Sequence, residues 1–214
     1  MTRLPPPPYV CLITEGKATP QNFSAQKQTI LDRIGEAAAD GVNLIQIREK
    51  ALPGRLLFDL VSEAVNVVSN LNALVLVNDR VDVSIVAGAA GVHLPESSFS
   101  PSIVRQKFGD DILIGVSTHT LEAARNAGEA GADFAFFGPV FETPGKGPAV
   151  GLHMLESVCR QADGFPVIAL GGIDPANCAS AINAGAAGVA AIRSLNSTGS
   201  RRRVLGALGI RGPS

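Results

Sequence analysis

The sequence predicts a (β/α)8 barrel folded as a single domain. Three observations carry that prediction. Short apolar runs alternate with stretches of helical periodicity along the 214 residues, and eight such runs read as strands. Several are apolar at every position, as strands buried on both faces are. A glycine-centred pattern also recurs: AGAAGVHL at 87–94, AGADFAFF at 130–137 and AGAAGVAA at 184–191, with ADGVNLIQ at 39–46 as a looser copy. Each copy ends a helix on a glycine, which accepts the left-handed cap conformation, and then starts a strand. The copies precede the second, fourth, sixth and eighth runs, and their spacing of roughly 45–55 residues equals two βα units. Eight units in one domain close into a barrel. The runner-up is an open, doubly wound sheet, which eight repeats without a dinucleotide fingerprint disfavour.

The elements follow in order. Residues 1–8 contain four consecutive prolines and form a stiff, extended lead-in. The barrel is expected over 9–195. Its first strand is YVCLIT (9–14) and its second NLIQIR (43–48). Leu57, Leu60, Val61, Ala64, Val68 and Leu71 then give a helix one apolar face. ALVLVN (73–78) and GVHL (91–94) are the third and fourth strands. After ILIGVS (112–117), Thr118 or Thr120 caps a helix through LEAARNAGEA. DFAFFG (133–138) runs into a Gly/Pro-rich loop. PVIALG (166–171) is followed by Asp174 and Pro175, an N-cap and first helical turn. GVAAIR (188–193) is the eighth strand. The tail, 196–214, is short, polar and partly helical, and RRRV (201–204) reads as a solvated helix start.

Composition narrows the function. A net charge of −1 gives no electrostatic case for nucleic acid or an anionic membrane. No apolar run approaches the roughly 20 residues of a membrane span, and MTRLPPPPYV lacks the apolar segment of a signal peptide. Cys11, Cys159 and Cys178 are odd in number and lack metal-type spacing; Cys11 and Cys159 read as small core residues. The expectation is a cytoplasmic enzyme with small-molecule substrates, its oligomeric state open and a homo-oligomer among the choices.

Chemistry in such barrels lies at the C-terminal ends of the strands. In QIREK, alternation sends Gln46, Arg48 and Lys50 to one side, where an Arg fork beside a Lys suits a phosphate or diphosphate. The plainer reading is solvated strand-end charge. Asn78 and Asp79 end the third strand as oxygen donors of the kind Mg²⁺ takes beside substrate phosphates, or as an ordinary turn. His93 reads as structural, with Glu96 three residues on. Ser117, Thr118 and His119 end the fifth strand; His119 could exchange a proton near neutral pH or simply cap a helix. The loop GPVFETPGKGPAVG (138–151) carries one cation, Lys146, and its glycines let backbone approach phosphate oxygens. Gly171 and Gly172 after strand seven, with Arg193 and Ser194 after strand eight, occupy the usual phosphate position of barrels. Two anionic subsites result: a diphosphate region near strands two, three and six with Mg²⁺, and a monophosphate region at strands seven and eight. His119 lies between them.

QIREK, LVNDRVDVSIVAGAAGVHL, IGVSTHTLEAA, GADFAFFGPVFETPGK and VIALGGIDPANCASAINAGAAGVAAIRS together resemble the thiamine phosphate synthase/TenI family, from about residue 9 to residue 195. The resemblance implies condensation of hydroxymethylpyrimidine diphosphate with thiazole phosphate, Mg²⁺ helping diphosphate to leave. It assigns Gln46, Arg48 and Lys50 to the pyrimidine and diphosphate, Asn78, Ser117 and Lys146 to the diphosphate, and Asp79 to Mg²⁺. Thr143 would hold the thiazole, and Gly171 or Gly172 its phosphate. Lys50 and Lys146 join His119 as catalytic candidates, because cations stabilise the charge that develops on leaving diphosphate. Three positions depart from the synthase pattern. Ser98 stands where a second metal carboxylate is usual, with Glu96 two residues earlier as a replacement ligand; Gly145 stands where Thr is usual; Arg193 stands where a hydroxyl is usual. HLPESSFSP and FGPVFET are closer to the TenI branch, which includes a thiazole tautomerase whose proton-shuttling histidine matches His119. The expected function is therefore the synthase, with a TenI-type tautomerase as second reading and a non-catalytic regulator that binds phosphate ligands as third.

Overall fold

The structure, a computed structural model, describes residues 4–210, so residues 1–3 of the proline-rich lead-in and 211–214 of the tail lie outside the described residues. Eight parallel strands close on themselves, β1 pairing with both β2 and β8. They are β1 (Tyr9–Ile13), β2 (Leu44–Ile47), β3 (Leu74–Asn78), β4 (Gly91–Leu94), β5 (Leu113–Thr118), β6 (Phe134–Phe137), β7 (Val167–Leu170) and β8 (Gly188–Ala191). The helices are α1 (Phe23–Asp40), α2 (Gly54–Val68), α3 (Val81–Val86), α4 (Pro101–Phe108), α5 (Leu121–Glu129), α6 (Gly151–Gln161), α7 (Cys178–Asn183), α8 (Arg193–Asn196) and α9 (Thr198–Ala207).

The repeated pattern works as a helix stop. Gly41, Gly88, Gly131 and Gly185 all have positive φ and lie just after α1, α3, α5 and α7. A Cβ resists that conformation, so glycine ends the helix and turns the chain into the next strand. Thr120, rather than Thr118, caps α5 by accepting the Ala123 N–H at 3.1 Å. Asp174 Oδ1 accepts the N–H groups of Ala176 and Asn177, but these cap a turn, and α7 begins only at Cys178.

Alternation divides each strand between two cores. Residues such as Val10, Leu12, Ile45, Val75, Phe137 and Val189 face the helices. Tyr9, Cys11, Leu44, Leu76, Leu113, Phe134 and Ile168 fill the barrel interior. Burying each large aliphatic or aromatic side chain contributes about 1.5–3 kcal/mol. Given the stagger of this barrel class, the pairings stack the interior in layers. Gln46, His93, Phe136 and Ala190, from the even strands, form one layer; Ile13, Asn78, Ser117 and Leu170, from the odd strands, form the next one up. Polar side chains enter the interior in these two layers, on the β2–β5 side.

Two further expectations need correction. The eighth strand ends at Ala191 rather than at residue 193, because Ile192 has helical dihedrals and Arg193 opens α8. The solvated reading of RRRV fails at Arg201, which is fully buried. Its guanidinium reaches Asp40 at 2.7 Å, Glu36 at 3.4 Å and the Leu195 carbonyl at 3.2 Å, tying α9 to α1.

Candidate active site at the barrel mouth

The β2 end is built around a carboxylate that sequence reasoning passed over. Glu49 is buried, and it accepts the backbone N–H groups of Gly16 at 3.0 Å and Ala18 at 2.8 Å. Thr14 accepts the Arg48 N–H at 2.8 Å. Together they clamp the loop after β1 against the end of β2. Gln46 is almost fully buried in the interior, Arg48 is half-buried and Lys50 is exposed. The three expected residues thus ascend from the floor to the rim. Glu49 points the other way along the same pleat, and the two loop N–H groups that it binds became visible only with the fold.

At β3, Asn78 is buried beside His93 in the strand register. Asp79 follows with φ 65°, a left-handed conformation in which Asp is tolerated. Its N–H donates to the His93 carbonyl at 2.8 Å, and its side chain is exposed at the mouth. Glu96, expected as a second metal ligand, lies with its carboxylate 4.0 Å from His119 Nε2. The Ser98 hydroxyl is buried without a hydrogen-bond partner. Among the described residues no three His, Cys, Asp or Glu side chains gather as a metal cage. Asp79 and Glu96 are exposed carboxylates at the mouth, and a pair of carboxylates would fit Mg²⁺, which is commonly held by one or two of them with substrate phosphates and water.

His93, read from sequence as a satisfied structural residue, is buried and only half satisfied. Its Nε2 lies 3.1 Å from the Ser117 hydroxyl, while Nδ1 has no partner. Its ring stacks at a tilt on Phe136, with centroids 4.8 Å apart. Burial, with the positive charges of Arg48 and Lys50, pushes its pKa down to about 3, so the imidazole is neutral. His119 differs in exposure and in its partners. It is half exposed, its Nδ1 is hydrogen-bonded to the Gly138 carbonyl, and its Nε2 faces the mouth and Glu96. If Nδ1 donates to that carbonyl, Nε2 is left as the basic nitrogen.

The long loop after β6 folds onto the end of β7. Val140 N–H donates to the Leu170 carbonyl and Phe141 N–H to that of Gly171, at 2.9 and 3.1 Å. The approach is close enough to require glycine: a Cβ on Gly138 would lie 1.9 Å from the Leu170 carbonyl oxygen, and one on Gly171 2.6 Å from Pro139. Val150 and Gly151 close the base of the loop through the Pro139 and Val140 carbonyls. Lys146 stands exposed at its tip, where its N–H donates to the Thr143 carbonyl, and the Thr143 hydroxyl is occupied by the Phe141 carbonyl. At the β7–β8 side, Gly172 has φ 64° and its carbonyl accepts from Asn177, while Ser194 donates to the Ile173 carbonyl at 2.7 Å. Ser194 therefore braces the loop after β7 through its hydroxyl, and Arg193 starts α8 beside it.

A closed barrel with cations, amides and hydroxyls collected over an apolar floor at the strands' C-terminal face defines the class: a (β/α)8-barrel enzyme. Residues 10–195 match the family described as thiamine monophosphate synthase, and the chain belongs to that family. It is 36% identical over 186 residues to the thiamine-phosphate synthase of Roseiflexus sp. strain RS-1, covering 86% of this chain and 76% of that one. It is 44% identical over 162 residues to the thiamine-phosphate synthase of Methanoculleus marisnigri, covering 73% and 75%. Among solved structures, thiamine phosphate pyrophosphorylase from Pyrococcus furiosus superposes with a TM-score of 0.81 at 25% identity, over 94% of this chain and 95% of that one. The chain is an enzyme of thiamine biosynthesis, of the transferase kind.

Proposed function

We propose that the protein condenses hydroxymethylpyrimidine diphosphate with thiazole phosphate, giving thiamine phosphate and diphosphate. The observation that carries this reading is the polar wall between β2 and β5, in which Gln46 and Arg48 line the end of β2, Asn78 and Asp79 that of β3, and Ser117 that of β5. A tautomerase acting on a single monophosphate has no use for that set. Arg48, Lys50 and Lys146 would neutralise the departing diphosphate, whose charge grows as the C–O bond breaks. Gln46 would hold the pyrimidine over the apolar floor. Asn78 and Ser117 would hydrogen-bond to the diphosphate oxygens. Thr143, beside Lys146 near the tip of the β6 loop, would hold the thiazole. Backbone N–H groups around Gly171 and Gly172, with Arg193 nearby and Ser194 bracing the loop, would take the thiazole phosphate.

Asp79 would hold Mg²⁺, with Glu96 as the candidate second ligand. Mg²⁺ when bound supplies charge neutralisation to the diphosphate. Asp79→Ala should raise the Mg²⁺ concentration needed for half-maximal rate by about tenfold or more, the effect of losing one charged ligand. Unchanged Mg²⁺ dependence would remove Asp79 from that role. The three cysteines are free thiols, which supports a cytoplasmic location.

A second reading keeps one specific observation on its side. His119 has its Nδ1 fixed by the Gly138 carbonyl and its Nε2 open beside Glu96, an arrangement suited to shuttling a proton. The two readings separate in one pair of variants. Under the synthase reading, Arg48→Ala abolishes thiamine phosphate formation and His119→Ala only slows it. Interconversion of thiazole carboxylate phosphate tautomers, lost in His119→Ala and kept in Arg48→Ala, with no thiamine phosphate formed, would establish the tautomerase instead. Ligand binding without either turnover would leave the regulator.

A further inference from the structure

Glu49 is only 3% exposed and faces α1, in a small cavity lined also by Thr14, Ile30, Ile34 and Asn196. Lys17 and Arg33 line the same cavity but pair with Glu15 instead. A buried carboxylate without a cation is costly unless its hydrogen bonds are well made. Here each oxygen takes one amide: Oε1 accepts the Gly16 N–H at 3.0 Å and Oε2 the Ala18 N–H at 2.8 Å. Only a carboxylate can serve both, since a glutamine would turn its NH2 group toward one of the two donors. The segment held in this way lies along Arg48. Thr14 Oγ1 accepts the Arg48 N–H at 2.8 Å. Gly16, at φ +73°, covers the next edge: a Cβ there would stand 3.3 Å from the Arg48 carbonyl oxygen and 3.8 Å from Nη1. Among the described residues no acceptor or carboxylate pairs with the Arg48 guanidinium. Its five N–H donors are left for a ligand, and the backbone around Gly16 is the surface that limits where they point.

We propose that Glu49 is a positioning residue for the condensation: by holding the loop after β1 through two amides, it aims the Arg48 guanidinium at the departing diphosphate. The inference rests on the synthase reading above. Glu49 faces away from the mouth and touches no substrate, so its effect passes through contact. The carboxylate fixes the Gly16 and Ala18 amides, Gly16 stands against Arg48, and Arg48 meets the diphosphate. A guanidinium held in advance toward the place where charge develops needs no reorganisation as that charge grows. Without the clamp, the long Arg48 side chain would have to be ordered by the ligand itself, which weakens binding.

Calorimetry of inorganic diphosphate with Mg²⁺, on the full-length protein, tests this as a double-mutant cycle. Arg48→Ala should weaken diphosphate binding by about tenfold or more, the effect of losing a hydrogen bond to a charged group. Glu49→Gln should weaken it by about fivefold, a coupling of ordinary size for residues that act through contact. In the Arg48→Ala background Glu49→Gln should change nothing further. Unchanged affinity in Glu49→Gln overturns the proposal. So does an equal loss in both backgrounds, which is what a merely structural role would give. Gly16→Ala is the second variant, and it serves even if Glu49→Gln fails to fold. It keeps the carboxylate but sets a methyl group against Arg48, and it should show the same loss with the same dependence on Arg48. Wild-type affinity in Gly16→Ala overturns the proposal as well. If the wild-type protein forms no thiamine phosphate from its two substrates, the synthase reading falls and takes this inference with it.

Discussion

Single residues were legible in proportion to how far alternation alone decides their direction. Gln46 and Arg48 come from one pleat of one strand, and period-two alternation sends them inward and upward without knowledge of the neighbours. His93 follows the same rule, but its importance depends on an atom left unpaired and on Ser117 across the β4–β5 register, which no local pattern encodes. Glu96 was legible as a carboxylate near the mouth; its turn toward His119 was not, because a loop without periodicity fixes no direction. The neutral state of His93 has a consequence for stability. Its folded pKa of about 3 lies below the ordinary value of 6.5, so the unfolded chain binds the proton more readily between those limits. The stabilisation is complete above about pH 6.5 and is lost as pH falls toward 3, with about 2–3 kcal/mol gone between pH 7 and 4.5. Urea unfolding at the two pH values should show that loss in the wild type and a smaller one in His93→Phe. Equal losses would mean that His93 is not the group concerned.

Elements were the most legible level, since helical stops and strand starts are written as local chemistry. The glycine pattern that precedes β2, β4, β6 and β8 is such a signal, and Gly41, Gly88, Gly131 and Gly185 adopt the positive φ it requires. What local pattern misses is how the ends of elements are tied to one another. Arg105 on α4 is an example. It donates to the carbonyls of Gly131 at 2.9 Å and Ile112 at 2.6 Å and pairs with Asp133, which also accepts the Ile114 N–H. One guanidinium thereby joins α4 to the chain before β5 and to the turn between α5 and β6. Arg105→Ala should cost about 2–3 kcal/mol, because it leaves Asp133 without its cation and the carbonyls of Gly109, Ile112 and Gly131 without their donor. The urea midpoint measures this, and an unchanged midpoint would make the network incidental. Thiamine phosphate formation at a permissive temperature should be unaffected, since these groups lie at the strand starts, opposite the mouth.

The whole molecule is a ring whose first and last strands must meet. β1 pairs with β8, so closure depends on contacts far apart in sequence, and these are the contacts that sequence patterns convey least. The stretch RRRV illustrates this. Three consecutive arginines suggest a solvated surface, yet Arg201 is fully buried against Asp40 and Glu36, more than 160 positions away. Its partners belong to α1, and only the closed ring brings α9 there. Arg201→Ala should leave Asp40 with only the exposed Arg202 arm and lower stability by about 3 kcal/mol, toward the low end of the range for breaking a buried pair. Arg202→Ala, which removes an exposed arm from the same carboxylate, should cost under about 1 kcal/mol. Thermal melts of the two variants compare the effects directly. Equal shifts would mean that the burial of Arg201 contributes nothing.

The same closed ring brings the β2–β5 wall and the loops of β6–β8 around one opening, and the central claim is that this opening joins two phosphorylated substrates. ³¹P NMR of the purified protein with hydroxymethylpyrimidine diphosphate, thiazole phosphate and Mg²⁺ measures the claim in one tube. The predicted result is disappearance of the two diphosphate-ester resonances and growth of a free diphosphate signal. That growth should match thiamine phosphate one for one and stop in Arg48→Ala. Diphosphate-ester resonances that persist with active, folded protein would contradict it.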